Sequence, residues 1–314
     1  MKTQSKEIKM SEEEIQHAIK HMVDGLGSPR RSPIWHSPAE QGLAFEDVFF
    51  SSLDGVPLDG WYIPAESSKK LIIVNHPMGF SRSGLPSHLE PWKSAFGNTG
   101  NDFEINFIPD FKILHDAGYN VLAYDIRNFG HSGTKSGMVS AGIYESRDVV
   151  GSLIYARTRE DLRDMMVGLF SRCLGANSSI FAISKYPEYF RDVRCMVAPQ
   201  PLSVRMIMER ELESRGIKER LGELEQALQL TTSFKLDDLS PIEAAKSVHI
   251  PTLIYQVRND LLTRPSDVQL IFNNIPVKDK KLFWIENSTS RWDGYAYFAK
   301  EPSQILDWFD SYMN

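Results

Sequence analysis

Short runs of apolar, largely β-branched residues recur along the chain, and stretches with helical spacing lie between most of them. The runs are LIIVN (71–75), VLAYD (121–125), MMVGLF (165–170), VRCMVAP (193–199), TLIYQV (252–257) and KLFWI (281–285). They show no polar alternation, so both faces of each strand must be covered. That is the pattern of a mostly parallel sheet buried between two layers of helices. Two earlier runs, FEDVFFSS and VPLDGWYIPA, flank Leu53-Asp54-Gly55 and read as a hairpin. The segment 103–120 has helical spacing through Ile108, Phe111 and Leu114 and stops at Gly118, and EPSQILDWFDSYM closes the chain as a helix. The expected class is α/β.

The chain's 314 residues suit one such domain carrying an insertion. Residues 1–44 form a leader. Ser11-Glu12-Glu13-Glu14 is a capping-box pattern, Ile15, Ile19 and Met22 follow at helical spacing, and Gly25 and Gly27 mark the end. This helix is expected to pack on the main domain, joined to it by the proline-broken SPRRSPIWHSP. The domain proper spans 45–314. Within it, residues 202–245 interrupt the rhythm with a charge-dense helical block in which Leu221, Leu224 and Leu228 share a face. It reads either as a cap over the carboxyl ends of the strands or as a long surface helix.

Hydrophobic and charged fractions of 42% and 24% are those of an ordered globular chain. A net charge of −6 argues against nucleic acid as a partner. No apolar stretch is long enough to cross a bilayer, and the start, MKTQSKEIKMSEEE, is polar, so the expected location is cytoplasmic. Only Cys173 and Cys195 are present, which leaves no disulfide framework and no cysteine-rich zinc site. Neither a metal nor a cofactor is expected.

In open parallel sheets ligands bind at the carboxyl ends of the strands. Four strand-end loops follow one another informatively: His76-Pro77-Met78-Gly79, then DIRNFGHSG (125–133), then SRCLGA (171–176), then Arg258-Asn259-Asp260. In this order they resemble the α/β-hydrolase superfamily from about Phe45 to the end of the chain. Cys-Leu-Gly at 173–175 looks most like the dienelactone-hydrolase branch, which uses a cysteine nucleophile. The resemblance implies an α/β-hydrolase fold with a helical cap insertion. It also implies Cys173 as nucleophile at a strained strand-to-helix elbow, backbone N–H groups of Met78 and Leu174 as an oxyanion hole, and Asp260 as triad acid.

Cys173 has two readings, a nucleophile or a small buried hydrophobe. Elbow spacing with small flanking residues, a helix N-terminus and the adjacent charge of Arg172 favours the nucleophile. Cys195 sits inside an apolar strand and reads as filler.

The departure from the family lies after KLFWI. That loop reads ENSTSRWDGYAYF, and no histidine occurs after His249, so the usual triad cannot form. Arg291 falls near the missing histidine, where it would either pair with Asp260 or bind an anionic group. His76 and His131 stand at the correct sheet edge as substitute bases, against their alternatives as a loop brace and a solvated loop residue.

The expected function is a cysteine-dependent enzyme acting on an activated acyl group, an ester or a thioester, by hydrolysis or transfer. Its partner would be a small acyl substrate, carried on coenzyme A or a carrier protein. Thioesters fit best, because a departing thiolate needs no proton. The alternative is a catalytically impaired relative that binds a small ligand or a protein. A third, weaker reading is non-hydrolytic chemistry with Asp260 or a histidine as acid/base.

Overall fold

The computed structural model describes residues 10–314; residues 1–9, the first part of the polar start, lie outside it. The apolar runs assemble into one sheet of eight strands: β1 Glu46–Ser51, β2 Pro57–Ile63, β3 Lys70–Asn75, β4 Asn120–Tyr124, β5 Met166–Ser171, β6 Val193–Val197, β7 Thr252–Val257 and β8 Lys280–Ile285. Their spatial order is β1-β2-β4-β3-β5-β6-β7-β8. β2 runs antiparallel to both β1 and β4, and all other neighbours are parallel. β4 and β7 are buried at every position, as their unbroken apolar runs require, whereas the edge strand β1 has mixed exposure.

Helices fill the connections: α1 Glu12–Gly27, α2 Ile108–Asp116, α3 Ser146–Thr158, α4 Leu174–Lys185, α5 Val204–Ser214, α6 Leu221–Thr232, α7 Pro265–Asn274, α8 Arg291–Tyr295 and α9 Ser303–Tyr312. The sheet separates two buried apolar layers, one including Leu71, Ile73 and Leu169, the other Ile72, Val74 and Phe170. Alternate residues of β3 thus face opposite layers, which is the period-two signature of a strand covered on both sides.

The leader helix begins on the capping box: Ser11 Oγ accepts from Glu14 N–H at 3.3 Å and Ser11 N–H donates to the Glu14 carboxylate at 2.7 Å. Its apolar stripe from Ile15 to Leu26 is buried mainly against α6 of the 204–232 segment, where Gln16 also bonds Glu223. Leu26 O also accepts from Val139 N–H, and the helix's apolar residues share one core cluster with Val48 and Val56. The inserted block itself is two helices, α5 and α6, interrupted at Gly216. Leu224 and Leu228 are buried, and α5 is tied to the loop after β7 by Arg264–Glu213 and by Arg210 donating to Leu261 O.

Two features hold the strand ends in place. Asp54, in the hairpin turn, accepts from Arg127 and Arg147, which fastens the turn to the loop after β4 and to α3. Burial opposes the charge on Asp54, but the hydrogen bonds from Arg127, Ser52 and Arg147 outweigh it and hold the carboxyl well below the usual aspartate range. A depressed pKa means this contribution is present above the unfolded value near about 4 and is lost as pH falls through the folded one. Asp54→Asn should therefore flatten the acid limb of the stability curve below about pH 4, read by denaturant titration at successive pH values.

The second feature is Gly175 in the first turn of α4. A Cβ there would stand 2.6 Å from both the side chain and the carbonyl oxygen of Asn75 at the end of β3. Gly175→Ala is expected to lower stability by about 1–3 kcal/mol, seen as a reduced urea midpoint with an unchanged slope.

Candidate active site

β5 delivers Ser171 to the edge of the sheet in register with Asn75 of β3, and the chain then turns directly into α4. Cys173, at the turn, has φ 51° and ψ −107°, a region that costs a non-glycine residue about 1–3 kcal/mol. The surroundings hold it there. Arg172 N–H donates to Asn75 O and Cys173 N–H to Pro199 O, both at 2.9 Å, so the turn is fastened to strands on either side. Ser171 Oγ bonds Asn75 Nδ2 and Ser179 Oγ at 2.8 Å each, bracing the entry to the turn.

Cys173 is 8% exposed and sits at the N-terminus of α4. The N–H groups of Leu174 and Met78 donate to no protein group among the described residues. Met78 occupies the turn closed by Phe80 N–H to Pro77 O, which Gly79 permits at φ 82°. Pro77 thus shapes the loop without removing the Met78 donor.

Arg291, the first residue of α8, lies in the interior 2% exposed. Its Nη1 donates to Asp260 Oδ2 at 2.6 Å, its Nη2 to Gln200 O at 2.5 Å and its Nε to Tyr295 Oη at 2.8 Å. Burial opposes its charge, but Tyr295, Cys173 and Asp260 outweigh that, so Arg291 remains a cation throughout the accessible pH range. Asp260 is engaged through both carboxylate oxygens. Oδ2 also takes Gln256 Nε2 and Thr263 Oγ1, and Oδ1 takes Leu262 N–H. Of the two outcomes anticipated for Arg291, pairing with Asp260 is the one observed.

Tyr295, unassigned by sequence reasoning, is 2% exposed and accepts from Arg291 Nε at 2.8 Å. Burial, with the neighbouring sulfur, holds its hydroxyl protonated well above the usual tyrosine range, although Arg291 pulls the other way. The only sequence signal for it was its place four residues after Arg291, one helical turn on.

Arg172, expected to lend its charge to the thiol, does not. Its guanidinium stacks on Phe170 and Phe107, 3.8 and 4.6 Å from the ring centroids, and binds Asp110 at 2.5 Å.

Neither substitute base is poised to act. His76 Nδ1 donates to Pro77 O at 2.7 Å and its Nε2 accepts from Ile126 N–H at 2.9 Å, so both ring nitrogens are occupied. Burial pushes its pKa down, which keeps the ring neutral in this brace. His131 is exposed and bonds Asp125 through its backbone N–H, not its ring.

The Asp125–Ser132 motif is structural as well. The buried Asp125 carboxylate gathers Arg82 and His131 N–H, and Arg127 binds Asp148 at 2.8 Å. Among the described residues no group of three His, Cys, Asp or Glu side chains could hold a metal ion, and no helix is long and apolar enough to cross a membrane. Two surface concavities, one beside Arg31 and Asn128 and one beside Glu14 and His21, lie away from these site residues.

A mostly parallel eight-stranded sheet, helices on both faces and a strained residue between the fifth strand and its helix define the α/β-hydrolase fold. Solved structures agree. An esterase from Pyrococcus furiosus, Pf2001, matches with TM-score 0.68 at 19% identity over 92% of this chain and 99% of its own. The α/β hydrolase GrgF from a Penicillium species matches at 0.58 and 15%, over 86% and 99%. A dienelactone hydrolase from Anabaena variabilis matches at 0.52 and 14%, again over 86% and 99%. The sequence matches no protein-family model and no curated protein.

Breaking the Arg291–Asp260 pair strands a buried charge. Asp260→Asn is expected to cost about 3–5 kcal/mol of stability, measured from its urea midpoint against the parent chain.

Proposed function

We propose that this protein is a cysteine-dependent acyl-transfer enzyme whose nucleophile is Cys173 and whose substrate is an activated acyl group, a thioester before an ester. The observation that carries this reading is the backbone of Cys173. Its strained conformation between β5 and α4 is held by hydrogen bonds to Asn75 and Pro199, and the N–H groups of Leu174, next in the chain, and of Met78 donate to no protein group among the described residues. Esterases and a dienelactone hydrolase share the fold, and the thiol at the elbow extends that ester-cleaving chemistry to thioesters.

Attack of the Cys173 thiolate on the acyl carbon forms the S–C bond. The carbonyl oxygen becomes an oxyanion facing the N–H groups of Leu174 and Met78. Its collapse breaks the bond to the leaving group, which departs with the electron pair, and leaves acyl-Cys173. An alkoxide would need a proton on departure, and no side chain of the site gives one readily: Arg291 and Tyr295 hold theirs and the Asp260 carboxylate is fully engaged. A thiolate leaves without one. An acyl group on coenzyme A or a carrier protein is therefore the substrate we favour. Both cysteines are free thiols, which suits a reducing, cytoplasmic setting.

The low exposure of Cys173 and the fully engaged Asp260 favour a second reading, a ligand-binding relative without turnover. Mass spectrometry after incubation with a panel of acyl thioesters separates the two. The transfer reading expects an acyl adduct on Cys173 and a burst of free thiol, absent in Cys173→Ala and reduced at least about 100-fold in Cys173→Ser, whose hydroxyl has no base. Binding of a thioester with no adduct at any pH would favour the second reading.

A further inference from the structure

We propose that β8 is a dimerisation edge, on which a second copy of this chain pairs antiparallel, strand against strand, about a two-fold axis at Phe283. β8 ends the sheet, so one side of it has no neighbouring strand. Edge strands that stay single are blunted by charges, prolines or bulges. The run Leu282-Phe283-Trp284-Ile285 has no charge and no proline, and none of its four side chains is buried. Nor is any other residue from 276 to 289, whereas β7, its inner neighbour, is buried at every position.

The backbone fixes which groups reach outward. β8 lies parallel to β7 with Ile285 level with Val257. Arg258 N–H donates to Ile285 O and Thr252 N–H to Asp279 O, at 3.0 and 3.1 Å, so the odd-numbered residues turn towards β7. Alternation then turns the N–H and C=O groups of Leu282 and Trp284 away from the sheet. An antiparallel copy centred on Phe283 sets Leu282 opposite the partner's Trp284, and that pair exchanges both of its backbone bonds. Phe283 meets the partner's Phe283 at a position without such bonds, where facing side chains stand closest.

Charge selects both the occupant and the register. Lys278, Lys280 and Lys281 stand at the start of the strand and Glu286 at its end. The axis at Phe283 sets Lys280 opposite the partner's Glu286 at both ends of the seam, with Lys278 diagonal to it. An axis at Leu282 would set Lys280 against the partner's Trp284, and one at Trp284 would set Leu282 against the partner's Glu286. Lys280 Nζ also donates to Phe272 O and Ile275 O at the end of α7, at 3.0 and 2.5 Å, and Glu286 Oε1 accepts from Arg258 at 2.7 Å. The attraction across the seam therefore falls to Glu286 Oε2 and to Lys278, which makes no ion pair among the described residues.

The other edge does not compete. β1 keeps Val48 buried, and its charges, Glu46 and Asp47, have one sign and sit at one end, so no self-pairing of β1 joins unlike charges. A two-strand seam alone is small against the roughly 1,200–2,000 Å² of a stable interface. The two-fold axis brings both copies of α7 to the same face beside the seam, and α7 leaves Leu270 46% exposed there. Such an arrangement is closed and isologous, with each copy giving and receiving the same contacts.

The test is the oligomeric state of the full chain by sedimentation velocity across the micromolar range, together with cysteine cross-linking. A dimer is expected, and its dissociation constant should rise about tenfold in Glu286→Lys, which sets lysine against lysine at both ends. Glu286 is exposed and its pair with Arg258 is a surface one, so this variant keeps the fold. In a Cys173→Ala background, with Cys195 buried, Phe283→Cys should oxidise to a disulfide-linked dimer, because facing Cα atoms at such a position stand within bridging distance. An equimolar mixture of Lys281→Cys and Ile285→Cys should cross-link as well, and it decides the matter if Phe283→Cys fails to fold. Monomers throughout the range overturn the proposal, as does a dimer that neither design cross-links or that ignores Glu286→Lys. Cross-linking of Lys281→Cys on its own puts the axis elsewhere and overturns the register.

Discussion

The backbone of Cys173 is the constraint around which the site is built. A residue at φ 51° and ψ −107° persists only where the chain on both sides is immobilised. Here β3 supplies Asn75 as acceptor for Arg172 N–H, and the segment after β6 supplies Pro199 for Cys173 N–H. The turn is thus stretched between two neighbours of β5. Gly175 lets α4 come within contact of Asn75, and the Leu174 N–H that faces outward is a by-product of starting a helix there.

The same geometry explains how Arg291 is accommodated in the interior. The space between Cys173 and Asp260 is closed to water, and a buried guanidinium needs several acceptors. Asp260, Gln200 O and Tyr295 Oη supply one for each of its nitrogens. An imidazole bridging acid and nucleophile would carry protons between them; a guanidinium fixed in charge cannot, and it passes on only polarisation.

Other buried charges serve the scaffold. Arg127 with Asp54 and Asp148, Arg82 with Asp59 and Asp125, and Arg172 with Asp110 are each placed where a strand end meets a loop or helix. They fasten the carboxyl edge of the sheet, so the residues that resemble a catalytic motif at 125–133 turn out to brace it. Arg172 shows how sequence adjacency misleads here. The charge next to Cys173 in the chain faces Phe107 and Phe170 and is bound to Asp110.

Much of this molecule was legible in the chain itself. Unbroken apolar strands dictated a covered parallel sheet, because backbone pairing and burial on both faces admit few alternatives, and each of the six apolar runs from 71 to 285 became a strand of it. The elbow at Cys173 and the absence of a histidine after residue 249 were equally plain, being matters of local spacing and composition. What only the tertiary structure decided is which side chains meet. His76 and His131 stood at the correct edge, yet their rings are engaged elsewhere or exposed; Arg291 entered the interior; and Tyr295, with no motif to mark it, came to bond its guanidinium. Strand order and burial follow from local pattern, whereas side-chain partners depend on packing between segments some 31 to 91 residues apart, which no short window of sequence records.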